Sequence, residues 1–139
     1  MMDETMEFKL RQPHFDDVVL YKKLIDGRIF FPSLRKLKPG FTIKFKLGEK
    51  FVQKRLVSLQ KYKGFREMFM KEGLGTCLPR AKDLDQGVKI YHNLKANGED
   101  YKTLAKKYGV VALRLGDITC APYRPLSRTE VSANPNPKP

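Results

Sequence analysis

The chain has few of the residues that build covalent or metal-based scaffolds. Its 139 residues contain two cysteines, Cys77 and Cys120, two histidines and no tryptophan. Two cysteines are too few for a disulfide framework, and their separation does not match the spacing of zinc ligands. We therefore expect reduced thiols in an intracellular, cytoplasmic protein, with a nuclear location left open, and neither a metal nor another cofactor.

Long apolar runs are absent too. Hydrophobic residues make up 41% of the chain, but no run of them approaches the roughly 20 residues that a membrane span requires. The N-terminal stretch MMDETMEF is acidic and lacks an apolar core, so we expect no secretory signal. The length suits one domain with its own hydrophobic core. These properties predict a soluble monomer that does not associate with membranes.

Acidic residues are scarce relative to basic ones. Lys and Arg number 28 against 15 Asp and Glu, which gives a net charge of +13. Between Ser33 and Lys63 there are ten basic residues and one acid, Glu49, so this window alone carries +9. Such clustering is typical of proteins that bind a polyanion. A nucleic acid is the favoured partner. A solvated, solubilising surface is the alternative, and an anionic membrane is disfavoured because these residues follow strand-like patterns.

Hydrophobic periodicity predicts an α+β domain. Strict alternation over Phe41–Leu47 indicates a half-buried strand, and Phe51–Lys61 pairs with it as a hairpin. Leu56 breaks the alternation of the second strand, which predicts a bulge. Helices are predicted at His14–Leu24, from Phe65 to a C-cap at Gly73, at Asp83–Leu94 and at Glu99–Tyr108, a loop at Thr76–Pro79, and strands at Met6–Arg11, Ile25–Phe30 and Val110–Leu115. This order favours a small barrel of about five to six strands with three to four flanking helices.

Within one stretch, VVLYKKLIDGRIFF, the six residues from Lys23 to Arg28 carry three charges of both signs. If the chain is extended from Ile25 onward, Asp26 and Arg28 share one face of a strand. Lys23, at the end of the preceding helix, then reaches the same face. Two cations around one carboxylate suit an anion-binding or acid–base site, although an ordinary salt-bridged strand edge would use the same residues.

Several short motifs carry a resemblance to a known family. The strand FKLRQPHF is followed by Lys23, Asp26, Gly27 and Arg28 in a K-x-x-[acid]-G-R arrangement, and then by LKPG, YKGF, LP, GVKIY and YGVVAL. In this order the motifs resemble the ASCH-domain family, whose members have a PUA-like β-barrel. The resemblance covers about residues 6 to 116. It implies an ASCH (PUA-like) domain at 6–118, after a disordered N-terminus at 1–5 and before a C-terminal extension at 119–139 that is partly disordered because it is polar and Pro-rich.

The resemblance further implies RNA binding in a cleft between barrel and helices, lined by Lys23, Asp26 and Arg28. Basic residues of the hairpin would add phosphate contacts, and tyrosines would stack on bases. The candidate RNA-binding residues are therefore Lys23, Asp26, Arg28, Arg35, Lys44, Lys46, Lys54, Tyr62 and Tyr91.

Two other functions stay open. Some bacterial members of the family hydrolyse acetylated cytidine with a Lys, a Thr and a Glu. Lys23 matches the Lys, but Asp26 stands at the Thr position without a hydroxyl, and the Glu has no secure counterpart. Lys23, as a general base, and Asp26 are thus the candidate catalytic residues if the protein is an enzyme, and RNA binding is favoured over hydrolysis. In the third hypothesis the basic hairpin docks an acidic protein.

Overall fold

The computed structural model describes residues 4–118 of the chain. Residues 1–3 of the predicted N-terminal segment and the whole predicted extension at 119–139, with Cys120, lie outside the described residues. The strands are β1 (Thr5–Lys9), β2 (Ile25–Ile29), β3 (Thr42–Leu47), β4 (Lys50–Tyr62), β5 (Lys95–Ala96), β6 (Glu99–Asp100) and β7 (Val110–Asp117). The helices are α1 (His14–Val19), α2 (Phe65–Glu72), α3 (Leu74–Cys77), α4 (Leu84–His92) and α5 (Tyr101–Tyr108), with a 3₁₀ turn at Pro32–Leu34.

Five strands form one curled sheet in the order β1-β3-β4-β7-β2. β1 runs parallel to β3, and the other neighbours are antiparallel. The predicted α+β class is confirmed, but the barrel is only half formed, because within residues 4–118 the end strands β1 and β2 do not pair with each other. A side chain crosses part of this gap: Arg28 Nη2 on β2 donates to the backbone carbonyl oxygen of Lys9 on β1 at 3.2 Å. We call the gap between β1 and β2 the seam.

Alternation along the β3–β4 hairpin decides which side chains face the hollow of the half-barrel. Ile43 and Phe45 are fully buried in it, whereas Lys44 and Lys46 point to the outer face. The predicted bulge in β4 is confirmed, since its register against β7 shifts between Leu56 and Ser58. The hairpin therefore has one apolar and one basic face, as its sequence predicts.

Two hydrophobic cores lie on opposite faces of the sheet. One fills the hollow and includes Phe45, and the other packs β2 and β7 against α2, α4 and α5. Ile25 and Ile29 of β2 belong to the second core. Because side chains alternate, Asp26 and Arg28 face the hollow instead, which confirms that they share one face. The Arg28 guanidinium carbon lies 4.2 Å from the ring centroid of Phe8 on β1.

The first helix is shorter than predicted. α1 ends at Val19 rather than Leu24, because the backbone turns into the left-handed region at Tyr21, where φ is 63°. Lys23 therefore lies in the turn after the helix. The backbone amides of Lys22 and Lys23 donate to the carbonyl oxygen of Asp17 at 2.8 and 2.9 Å, which fixes this turn.

Two short elements are additions to the prediction. The helix α3 extends into the predicted loop at Thr76–Pro79, because the positive φ of Gly73 ends α2 and a new helical turn begins at once. The β5–β6 ribbon turns at Asn97 and Gly98, both with positive φ, so α5 begins later than Glu99. None of the helices in the described part of the chain is long and apolar enough to cross a membrane.

Candidate functional site

A cleft of about 510 Å³ opens at the seam of the half-barrel. One wall is formed by Asp26–Arg28 of β2 and by the chain at Lys9–Gln12, where β1 ends. The opposite wall consists of α4, the β5–β6 ribbon and the start of α5. Its volume lies within the range of pockets that hold small organic ligands, about 300–1,000 Å³. The unpaired edges of the sheet thus become the entrance to a site.

Lys23 is buried in the wall of this cleft, with 2% of its surface exposed. Its Nζ donates to the backbone carbonyl oxygen of Cys77, at the end of α3, and to the hydroxyl oxygen of Tyr91 on α4 at 2.8 Å. Among residues 4–118 no carboxylate forms an ion pair with it. A buried ammonium group usually has a charged partner, because removal from water costs several kcal/mol per ion. Two neutral acceptors are an uncommon arrangement for such a group.

Asp26 and Arg28 form a buried ion pair on the other wall. Arg28 Nε donates to Asp26 Oδ2 at 2.6 Å, and the side chains are 16% and 3% exposed for Arg28 and Asp26 respectively. Burial opposes the charged form of Arg28, but Asp26 outweighs it, so the pKa of Arg28 is raised above its ordinary value. The guanidinium therefore stays cationic at the seam, and Asp26 orients it.

Two solved structures resemble this fold over nearly their whole length. The crystal structure of the hypothetical protein PH0355 matches with a TM-score of 0.72 and 32% sequence identity, over 82% of this chain and 99% of that one. The solution structure of protein PF0455 from Pyrococcus furiosus matches with a TM-score of 0.64 and 32% identity, over 82% of this chain and 97% of that one. This chain belongs to the same family as PH0355 and PF0455. No family model matches the sequence, and no curated protein matches it.

In this member of the PH0355–PF0455 family, a glycine allows the aromatic wall to approach the sheet. A Cβ atom at Gly27 would lie 2.6 Å from the Met68 Cε atom and 3.2 Å from Tyr91 Cε2. Tyr91 is consequently pressed against β2 with its hydroxyl oxygen beside Lys23 Nζ. Burial raises the pKa of Tyr91 although Lys23 opposes the shift, so the phenol stays protonated at neutral pH. A side chain at position 27 would force Met68 and Tyr91 to shift.

Two further ring side chains line the cleft of this family member. Burial raises the pKa of Tyr101 and Arg28 opposes it, so Tyr101 is also a neutral phenol. Burial and, next, the charge of Lys23 lower the pKa of His14, which makes the imidazole neutral at pH 7. The Nδ1 atom of His14 is buried and has no hydrogen-bond partner among the described residues. The cleft therefore combines neutral rings with fixed cations.

The structure brings four of the nine predicted RNA-binding residues together in this cleft: Lys23, Asp26, Arg28 and Tyr91. It places the others elsewhere. Arg35 is exposed after the 3₁₀ turn, and Lys44 and Lys46 lie on the outer face of the hairpin. The Tyr62 hydroxyl donates to Glu72 on α2 at 2.5 Å. Lys44 and Lys46 therefore do not line the cleft that Lys23 borders, because alternation turns them away from the hollow.

Lys54 is the least expected of these residues, since it is 6% exposed. It shares the inward face of β4 with Leu56, forms an ion pair with Asp117 at 3.5 Å, and its Nζ lies 3.9 Å from the ring centroid of Tyr21. It lines a separate cavity of about 210 Å³, which Lys23 also borders. The Lys54 ammonium group is therefore paired inside the domain and does not contribute to the basic surface.

Sequence reasoning missed five residues that line the cleft: Lys9, Arg11, His14, Lys95 and Tyr101. Lys9 and Arg11 had a local signal, because they alternate with apolar residues on the opening strand. Tyr101 and Lys95 had none, since their position depends on how the β5–β6 ribbon and α5 pack on the sheet. Within residues 4–118, no three side chains of His, Cys, Asp or Glu lie close enough to hold a metal ion.

Proposed function

We propose that this protein is an RNA-binding member of the ASCH type, built on a PUA-like half-barrel, and that RNA enters the cleft at the seam. The observation that carries the proposal is the composition of the cleft. Five basic residues and one acidic residue line it, and that acid is already paired with Arg28. The half-buried Tyr101 supplies a ring surface, and Tyr91, which is 3% exposed, forms the base of the cleft.

This composition suits single-stranded RNA better than a neutral ligand. Lys and Arg side chains neutralise phosphates and release counterions. Unpaired bases stack on aromatic rings and accept or donate hydrogen bonds at their edges. A cavity of about 510 Å³ is large enough for one nucleotide. The motif resemblance to ASCH domains supports the same substrate class.

The test is fluorescence anisotropy with a labelled single-stranded RNA of mixed sequence, titrated over a series of salt concentrations. We expect affinity to fall steeply with salt, because each neutralised phosphate of a single strand contributes a slope of about −0.7 in log K against log salt. Arg28→Gln should weaken binding about 10-fold or more, since it removes a charge-assisted donor worth about 1.5–3 kcal/mol.

Arg66→Gln is the matched control. Arg66 lies on α2, outside the cleft, and pairs with Asp85 at 2.6 Å on an exposed surface. It removes the same net charge from the protein, so a general loss of positive potential would affect both variants alike. Equal affinities for the two variants, or a salt dependence close to zero, would contradict RNA binding in the cleft.

A second candidate function is hydrolysis of a modified nucleoside, favoured by the position of the buried Lys23 amine on the cleft wall beside Tyr91. Asp26 is the one carboxylate among the described residues that line the cleft, and it is held by Arg28. Incubation with acetylated cytidine, followed by chromatography, tests this activity. Product formed by the wild type but not by Lys23→Ala would favour the enzyme, and equal product from both would exclude Lys23 from the reaction.

A further inference from the structure

Three side chains form a row across the outer face of the sheet. Lys9 on β1 is paired in register with Lys46 on β3, and Lys46 is paired with Phe51 on β4. Residues paired in this way project from the same face of a sheet. Neighbouring strands lie about 4.8 Å apart, so the row spans about 10 Å. Lys9 also lines the cleft, which makes the row continuous with the proposed RNA site around the edge strand β1.

Phe51 is an exposed aromatic ring in a basic setting. It is 56% exposed, whereas the other phenylalanine of the hairpin strands, Phe45, is fully buried. The Nζ atom of Lys44 lies 4.4 Å from the Phe51 ring centroid, so one side of the ring is held by a cation. An exposed ring with fixed neighbours is suited to stacking because little side-chain freedom is lost when a ligand binds.

The charge on this face points to an anionic partner. Lys44 and Lys46 flank the ring, and Lys9 lies one strand beyond Lys46. Glu7 lies 4.0 Å from Lys46 at an exposed position, where such a pair contributes little. Surfaces that combine cations with exposed rings bind single-stranded nucleic acids through phosphate contacts and base stacking. An apolar protein partner would leave the three ammonium groups without anions.

We propose that the outer face of β1, β3 and β4 is a second contact surface for single-stranded RNA. Phe51 stacks on a base, and Lys9, Lys44 and Lys46 contact phosphates of a strand that continues from the cleft around the edge of β1. This assignment rests on the proposed function. It adds that the RNA ligand is single-stranded and long enough to occupy both surfaces.

Two labelled RNAs test the proposal: a trinucleotide, with one nucleotide in the cleft and one on each side of it, and a single strand of about 12 nucleotides, within the range of about 4–16 that such surfaces cover. Phe51→Ala should weaken binding of the long RNA about 10-fold, within the roughly 5- to 150-fold that removal of one stacking ring causes. It should change binding of the trinucleotide less than about twofold. Met70→Ala is the matched control, because Met70 is 67% exposed on α2, away from the hairpin.

A single-tryptophan variant gives a second measurement. The sequence contains no tryptophan, so Phe51→Trp creates one fluorophore at the proposed stacking position. The long RNA should quench its emission and the trinucleotide should not, and the variant should retain the affinity of the wild type. Thermal unfolding of both variants verifies that they fold.

The outcomes separate the two proposals. If the wild type binds neither RNA at low salt, the proposed function fails and the outer surface fails with it. If the trinucleotide binds and Arg28→Gln weakens it, but Phe51→Ala leaves the long RNA unaffected, the outer surface alone is refuted. Equal losses for both RNAs in a folded Phe51→Ala protein also refute it, as does unquenched tryptophan in the complex with the long RNA.

Discussion

Replacement of Lys23 by methionine removes a buried ammonium group and keeps an unbranched side chain of similar length. In the wild type, several kcal/mol of desolvation are offset by two hydrogen bonds from a charged donor, each worth about 1.5–3 kcal/mol. In the variant, the Cys77 carbonyl and the Tyr91 hydroxyl oxygen both lose their Lys23 donor, which costs about 1–3 kcal/mol each, but the desolvation penalty of the ammonium group no longer applies. Burial of the methionine side chain stabilises the folded state by about 1.5–3 kcal/mol. These contributions nearly cancel, so we expect the free energy of unfolding to change by about 1 kcal/mol or less.

RNA affinity should respond quite differently. Lys23 borders the cleft, and removal of a charge-assisted contact there should weaken binding about 10-fold or more. Urea unfolding followed by circular dichroism measures stability, and the anisotropy assay measures binding. With a slope of about 1–3 kcal/mol per molar urea, the expected midpoint shift is about 1 M or less. A loss of about 3 kcal/mol or more with normal RNA affinity would show that Lys23 is a structural tether between α3 and α4, and would refute its role as a ligand-binding cation.

Two other substitutions test the packing beside the cleft and the pKa of Tyr62. Gly27→Ala should destabilise the fold by about 1–3 kcal/mol through overpacking and weaken RNA binding, because the new Cβ would lie 3.2 Å from Tyr91. Gly64→Ala is the control, since a Cβ at position 64 would have no atom within 4 Å. Equal urea midpoints for the two variants would contradict the close contact at Gly27. Burial and the hydrogen bond to Glu72 raise the pKa of Tyr62 to about 12. The protonated Tyr62 therefore contributes fully to the free energy of unfolding below the unfolded pKa of about 10, and this contribution is lost as the pH rises to about 12. Tyr62→Phe should reduce the loss of stability between these pH values, and an unchanged pH profile would argue against the shift.

Local patterns predicted the hairpin and its two faces. The alternation of Phe41–Leu47 is a property of neighbouring residues, and the pleat of a strand converts it directly into inside and outside. The bulge after Leu56 follows from the same rule, because an extra residue restores the alternation that the sequence breaks. The C-cap at Gly73 can also be predicted from the local sequence, because the helix ends where one residue adopts a positive φ, and glycine adopts it without strain.

The site depended on contacts that no local pattern contains. Tyr91 is 68 residues beyond Lys23 in the chain, and it reaches the amine across the close contact between α4 and β2 at Gly27. The count of basic residues placed Lys54 on the surface, although alternation with Leu56 turns it inward. A charge count ignores the face on which each residue lies, whereas burial is decided by that face. The open seam was missed for a related reason, since strand pairing at a sheet's ends depends on the global curl of the sheet.

The seam has a mechanical consequence. Along β3 and β4 the sheet is held by a ladder of backbone hydrogen bonds, but β1 and β2 are bridged by the Arg28 guanidinium, which donates to the Lys9 carbonyl and lies against the Phe8 ring. Breaking both contacts costs about 2–5 kcal/mol, and no backbone ladder has to break for the two edges to move apart. If RNA enters the cleft as proposed, separation of the two edges would widen the opening of the cleft, and the Arg28 guanidinium that spans the gap would be free to contact a phosphate of the strand.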